Sequence, residues 1–198
     1  MSEQRLAGPD DTYQRETETG YTVGFRPVEP ARDFERLYAW FHNDHLTPYW
    51  QLDVDRSEAE RLVREKVADR TMTPYIGSLD HVPMSYWEVY EAAEDEIASV
   101  YDPAPTDRGI HLFVGPPEYL GHGHATTLLT SLVRFLFEHT DAERLVSEPD
   151  VRNDPAIGLF EGCGFQSRGT VELDDKDARL LCCTPASFEA ACDTEVEA

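Results

Sequence analysis

Lysine is nearly absent. Of 17 basic residues only Lys66 and Lys176 are lysines; the rest are arginines, and they face 39 acidic residues for a formal net charge of −22. So negative a chain repels nucleic-acid phosphates and anionic lipid headgroups, which excludes DNA, RNA and a membrane surface as expected partners. No apolar run is long enough to cross a bilayer. The opening stretch MSEQRLAGPDDTYQRETETG has no apolar segment, unlike a secretory signal, so the expected compartment is the cytoplasm. Cysteine is sparse as well. Cys163, Cys182, Cys183 and Cys192 show no CxxC or Cys/His ligand spacing, which argues against a zinc module or a disulfide framework and for reduced thiols. The pairs His42/His45 and His122/His124 lack an accompanying carboxylate-plus-cysteine pattern, so no metal is expected.

What is present suffices for a packed core: 40% hydrophobic and 11% aromatic residues in a chain of one-domain length. The acidic residues recur along most of the chain, the pattern of a heavily hydrated acidic surface. Molar salt, with a Debye length of about 3 Å, relieves the self-repulsion of such a surface. A halophilic source is therefore expected, with activity rising with salt. The expected organisation is a disordered acidic leader at 1–19, a folded domain at 20–186 and an acidic tail at 187–198.

Within the domain, Tyr21–Val28 alternates as a strand does. Pro30 opens a helix in which Phe34, Leu37, Tyr38 and Phe41 share a face. Ser57 and Glu60 form a capping box for a second helix running to about Asp69. Thr73–Ser78 and Pro83–Tyr90 read as strands about a turn, and Gly109–Gly115 as the central strand. The helix at 123–139 carries the stripe Ala125, Leu128, Leu129, Leu132, Val133 and Leu136. Arg144–Ser147 is a short strand, Pro155–Gly162 a short helix, and Phe165–Leu173 with Ala178–Thr184 a closing strand pair. The strand–helix–strand unit from 110 to 148 calls for parallel strands with a right-handed crossover. Antiparallel strands precede it, so the class is α/β with a mixed sheet flanked by helices.

Two segments carry chemistry. In Gly115-Pro-Pro-Glu118-Tyr-Leu-Gly121-His122-Gly123-His124-Ala125, glycines follow a strand and open an amphipathic helix. Free N–H groups there suit a phosphate. The second is Asn153-Asp-Pro-Ala156-Ile-Gly-Leu-Phe160-Glu-Gly-Cys-Gly164-Phe165. It resembles the Asn-x-x-Ala-x-x-x-(Tyr/Phe)-x-x-x-Gly-Phe segment of the GNAT acetyltransferase superfamily. The glycine loop is similar to that superfamily's acetyl-CoA pyrophosphate loop, (Gln/Arg)-x-x-Gly-x-(Gly/Ala), except that Glu118 stands in the first place. The backbone amides must then bear most of the binding, with Arg108 or Arg152 as candidate helpers. Asp107–Gly115, Tyr86–Tyr90 and Glu148–Asn153 further resemble the superfamily's siderophore-biosynthesis branch, which includes aerobactin-type hydroxylysine acetyltransferases and mycobactin lysine acyltransferases.

The resemblance implies a single-domain GNAT acyl-CoA N-acyltransferase fold and an enzyme that takes acetyl-CoA as co-substrate. It implies His111 and Asp150 as the catalytic pair, and Phe113, Val114, Gly121, His122, Gly123, His124, Ala125, Asn153 and Phe160 along the coenzyme. The implied product is a hydroxamate, made by acetylating an N-hydroxylated lysine or diamine for iron acquisition. The residues agree in part. In the central strand His111 and Phe113 face away from Ile110, Leu112 and Val114. Asp150 follows the neighbouring parallel strand, where open α/β sheets place ligands. A neutral hydroxylamine needs only a modest base such as His111, and the backbone near Phe113 is the candidate oxyanion donor. Phe160 occupies the place of a thiolate-protonating tyrosine, so that acid lies elsewhere. Glu88, Tyr90 and Trp50 are the substrate-binding candidates; Trp40 is expected in the core. A monomer or homodimer is expected. The rival functions are an acetyltransferase acting on aminoglycosides or protein N-termini, and a non-catalytic acyl-CoA-binding module.

Overall fold

The computed structural model describes residues 13–17 and 20–196. The strands are β1 (Tyr13–Glu16), β2 (Thr22–Pro27), β3 (Met72–Leu79), β4 (Val82–Glu91), β5 (Arg108–Val114), β6 (Leu145–Ser147), β7 (Gln166–Glu172) and β8 (Asp177–Cys183). The helices are α1 (Pro30–Phe41), α2 (Arg56–Ala68), α3 (His124–His139), α4 (Asp154–Gly162) and α5 (Pro185–Val196). Strand order in the mixed sheet is β1-β2-β3-β4-β5-β6-β8-β7. The described residues divide into two compact units, one holding Tyr90–His111 and the described residues from Leu129 on, the other those from Tyr13 to Val89 and Leu112–Leu128. Strands β4 and β5 each run through both.

In the unit that holds α1 and α2, Pro30 presets the first turn of α1, and the apolar stripe buries Phe34, Leu37, Trp40 and Phe41. Asp33 is fully buried beneath this helix. It accepts the Glu29 N–H at 2.9 Å and pairs with Arg26 and Arg36, so its charge is matched before it is buried. Helix α2 starts two residues earlier than its sequence suggests. Asp55, not Ser57, is its N-cap and accepts the Glu58 N–H, while the Ser57 hydroxyl donates to Asp55. An ionised carboxylate is the stronger acceptor for the open amides of a first turn. Four rings surround Phe113: Trp50 and Tyr86 at 5.1 Å between centroids, Phe41 at 6.2 Å and Trp40 at 6.3 Å. Gly115 is glycine because a Cβ there would collide with the Trp40 indole.

In the other unit, β5 and β6 pair in parallel at Arg108↔Leu145 and Gly109↔Val146 only. Beyond that point the Ser147 hydroxyl donates to the Ile110 carbonyl at 2.9 Å. Strand β6 then pairs antiparallel with β8, and β8 with β7. Buried Asp107 is matched by Arg144, the Ala104 N–H and the Tyr101 hydroxyl. Asn153 caps α4 through Ala156 N–H.

Two expectations on organisation need correcting. Tyr13–Glu16, placed in a disordered leader, forms β1 by pairing with Thr22–Phe25; residues 1–12 lie outside the described residues. Pro185–Val196, placed largely in an acidic tail, forms α5. Thr184 and Ser187 cap it reciprocally and its Phe188 is buried.

Candidate active site

His111 sits on β5 with its Nε2 against Glu148 Oε1, the first residue after β6. Glu148 is buried and also accepts the Tyr90 hydroxyl at 2.6 Å; Lys176 Nζ stands 4.0 Å away. The Tyr90 and His111 rings lie 4.7 Å apart. Gly109 makes this possible, because a Cβ there would fall inside the Tyr90 ring. Burial alone would raise the Glu148 carboxyl. The charge and hydrogen bond of His111, with Lys176 and Tyr90, outweigh it and hold the group below its ordinary value. Glu148 is therefore an ionised acceptor, which assigns the proton on Nε2 to His111. Burial, then the charge of Glu148, keeps the Tyr90 hydroxyl neutral by pushing it well above its usual range.

The carboxylate in contact with His111 is thus Glu148 rather than Asp150. Asp150 turns to Arg152, which reaches it through the backbone N–H and the guanidinium, and it bridges Ala178. That hydrogen bond to Arg152 holds the Asp150 carboxyl low. The ladder explains the difference. Continuing Gly109↔Val146 by two residues brings His111 level with Glu148, whereas Asp150 falls two places farther on. The clue lay in the Glu-Pro-Asp segment, but only the register says which acid is meant.

In the unit with α1 and α2, Glu88 is 2% exposed. Tyr86 donates to its Oε1 at 2.8 Å, and Lys66 Nζ lies 3.1 Å from that oxygen and 3.2 Å from the other. Trp50 packs on Tyr86 and Phe113, so it belongs to the aromatic cluster rather than standing alone in a loop. Trp40 lies in the core, as expected. Two further side chains have a role that the sequence did not suggest. Asn43 donates to the Gly115 carbonyl and His45 to that of Val114, each at 2.8 Å, so the chain after α1 is tied to the end of β5. Residues His42, Asn43, Asp44, His45, Pro117 and Leu120 line a pocket of about 320 Å³ there.

The glycine loop lies in the same unit. Gly121 and Gly123 have φ of 74° and 77°, in the left-handed region that disfavours side chains. Residues 121–123 are exposed, and nothing lies within 4 Å of either glycine's missing Cβ. Their amides donate to no acceptor among the described residues. His122, His124 and Ala125 lead into the first turn of α3, and His124 stands near Tyr119, Tyr21 and His122. An open run of amides at a helix start fits a diphosphate. Phe160 does not share that openness. It is buried against Phe165, with centroids 4.9 Å apart. Arg108 and Arg152 are engaged by Asp141 and Asp150.

The family model for an acetyltransferase (GNAT) domain matches residues 29–173. The chain belongs to the GNAT acetyltransferase family. It is an acetyltransferase with acetyl-CoA as co-substrate. It is 30% identical to the N-hydroxyputrescine acetyltransferase of Acinetobacter baumannii, over 89% of this chain and 84% of that one. It is 29% identical to the N(6)-hydroxylysine O-acetyltransferase of Escherichia coli over 80% of this chain, which spans 51% of that longer protein. Among solved structures it is similar to aminoglycoside acetyltransferase AAC(6')-Ib in complex with coenzyme A, at a TM-score of 0.76 and 27% identity, covering 85% of this chain and 98% of that one. No helix among the described residues is long and apolar enough to cross a membrane. Nor do they contain a group of three or more His, Cys, Asp or Glu that could hold a metal ion.

Proposed function

We propose that this acetyltransferase acetylates an N-hydroxylated diamine, or N-hydroxylysine, to a hydroxamate. The observation that carries the reading is the His111–Glu148–Tyr90 cluster. It offers one imidazole, oriented by a buried carboxylate, in a family whose acceptors must lose a proton from nitrogen. The names of the two relatives, both acting on hydroxylamines, point the same way. Acetyl-CoA supplies the acetyl group as a thioester. Oriented by Glu148, His111 takes the proton that the acceptor nitrogen sheds as its bond to the acetyl carbon forms. The same proton is then available for the departing thiol, so no separate acid is needed and a phenylalanine at 160 is tolerated. A hydroxylamine is mostly neutral near pH 7, which keeps the demand on His111 small.

The remaining site residues follow from this reading. The amides at Gly121, His122 and Gly123, with the first turn of α3 at His124 and Ala125, receive the diphosphate. The backbone of Phe113 and Val114 receives the pantetheine arm, and Asn153 holds α4 in place. Tyr90 stands against His111 as an acceptor-side residue, and in the unit with α1 and α2 Trp50 is the aromatic wall and Glu88 the carboxylate for a cationic amine. Asp150 serves the loop after β6 through Arg152 rather than the imidazole.

A second reading, an aminoglycoside acceptor, is favoured by the likeness to AAC(6')-Ib. Thiol release measured with N-hydroxy-1,4-diaminobutane, N-hydroxylysine, kanamycin and an N-terminal peptide separates the two. The hydroxylamines are expected to give kcat/KM at least tenfold above the others. A preference for kanamycin overturns the proposal.

A further inference from the structure

Lys176 is one of only two lysines in the chain, and it lies in the turn that joins β7 to β8. Its neighbours in sequence are Asp174, Asp175 and Asp177, all exposed, yet its Nζ pairs with none of them among the described residues. The side chain bends inward instead. It is 20% exposed and ends 4.0 Å from Glu148 Oε1, on a carboxylate that is 4% exposed. The Leu173 N–H closes the turn on the Lys176 carbonyl at 2.9 Å, which fixes the root of that side chain. The partners of Glu148 differ in the charge they offer. Tyr90 donates a hydroxyl that burial keeps neutral. His111 is positive only once it holds a second proton. A lysine is positive throughout the neutral range. While the imidazole is neutral and able to accept a proton, the full positive charge beside this buried carboxylate is therefore the ammonium.

We infer that Lys176 is a positioning residue of the reaction: its ammonium keeps a spare proton out of the His111–Glu148 pair, so that the imidazole stays ready to take one from the acceptor. This rests on the reading of His111 as the base. Closely coupled, the two groups take up a spare proton as a pair. On either member that proton adds positive charge near the ammonium, which repels it. The need is large here. A chain of net charge −22 draws protons toward its sites, and a local cation opposes that field. Standing at 4.0 Å, the ammonium lends its charge and leaves the carboxylate oxygens to His111 and Tyr90. The other charged and titratable groups that bear on the cluster are Asp95 and Tyr101, through Tyr90, and Asp150 with Arg152 from the loop after β6. The charge of Lys176 also reaches Asp150 and Glu96.

The test is the pH profile of kcat/KM for the best of the four acceptors above, followed by thiol release under saturating acetyl-CoA at fixed salt from pH 5.5 to pH 9. The acceptor's own ionisation is common to parent and variants and cancels in the comparison. Lys176→Met is expected to move the acid limb up by about one pH unit, with the parent's rate recovered above it. Lys176→Arg keeps the charge and is expected to leave the limb in place. A lysine that merely held the hairpin would, once replaced, lower the rate equally at every pH. That result, or an unmoved limb in Lys176→Met, overturns the inference. The carbon resonance of the Glu148 carboxyl, assigned by its loss in Glu148→Gln, gives a readout without catalysis: its midpoint is expected to rise in Lys176→Met and to stay in Lys176→Arg. An unmoved limb alongside a large loss of turnover in His111→Ala overturns the role of Lys176 and leaves His111 as the base. A raised carboxyl midpoint, in a protein whose His111→Ala variant still turns over, keeps Lys176 as the counter-charge of Glu148 and removes the base reading. Should Lys176→Met fail to fold, Lys176→Gln, which also lacks the charge, is measured in its place: a raised limb supports the inference, an unmoved one overturns it.

Discussion

Glu88 and Glu148 are built alike and equipped differently. Each is a buried glutamate that accepts a tyrosine hydroxyl, from Tyr86 and Tyr90 respectively, and each has one of the chain's two lysines beside it. At Glu148 the close partner is an imidazole, and the lysine stands back at 4.0 Å. At Glu88 the lysine makes direct contact. An ammonium can fill a carboxylate's need for charge but moves no proton near neutral pH, whereas an imidazole does both. The comparison teaches that burying a carboxylate does not by itself define its task; the cation chosen to match it does.

The comparison breaks first at His111. His111→Ala is expected to lower kcat by about 10²–10⁴, the usual worth of a positioned base, while acetyl-CoA still binds in calorimetry. A kcat within threefold of the parent would move the chemistry away from this cluster. The next effect separates stability from catalysis. Asp33→Ala strips Arg26 and Arg36 of a fully buried partner and is expected to cost about 3–5 kcal/mol in urea unfolding. The folded fraction should keep its kcat/KM, as an Asp–Arg match has a holding role only. The paired substitutions then sharpen the contrast. Glu148→Gln keeps an acceptor for Tyr90 and loses the charge at His111, so kcat is expected to fall about tenfold or more. Glu88→Gln is expected to raise the diamine KM by about tenfold, with the smaller change in kcat. If both glutamines act on the same kinetic constant, the two glutamates share one role.

Much of this was legible in the sequence. The apolar stripes of α1 and α3 fix those helices, because a period of 3.6 over three turns or more has few other readings. The alternation of His111 and Phe113 against Ile110 likewise identified the place of His111 on its strand. Strand β1 was not legible, because Tyr-Gln-Arg-Glu is short and polar and becomes a strand only by lying against β2. Helix α5 was hidden by its small apolar face, although Thr184 and Ser187 mark its start. The acid that contacts His111 could not be picked out because Glu148 and Asp150 are both acidic and two residues apart. Strand periodicity gives them the same face, and only the parallel register distinguishes them. Lys66 shows the same limit: a lone lysine on a helix says nothing about the strand residue it will cover.

The smallest expected effect is the pH dependence that Glu148 confers on stability. Its carboxyl is lower in the folded chain than the value near 4.3 of an unfolded glutamate, despite burial, because His111, Lys176 and Tyr90 favour the charged form. The unfolded chain therefore takes up this proton first as the pH falls. The stabilisation is complete above the unfolded value and is lost as the pH drops through the folded one. Urea midpoints of the parent and of Glu148→Gln, followed from pH 6 to pH 3, should converge below about pH 4.3, with the parent losing the greater share. Asp150→Asn provides the contrast, because Arg152 is 71% exposed and screened by water, so the same convergence should be much weaker. A parent that instead gains on Glu148→Gln as the pH falls to 3 would mean that Glu148 is already protonated in the folded chain. The imidazole would then have no anion to orient it, and the difference between the two glutamates would reduce to geometry alone.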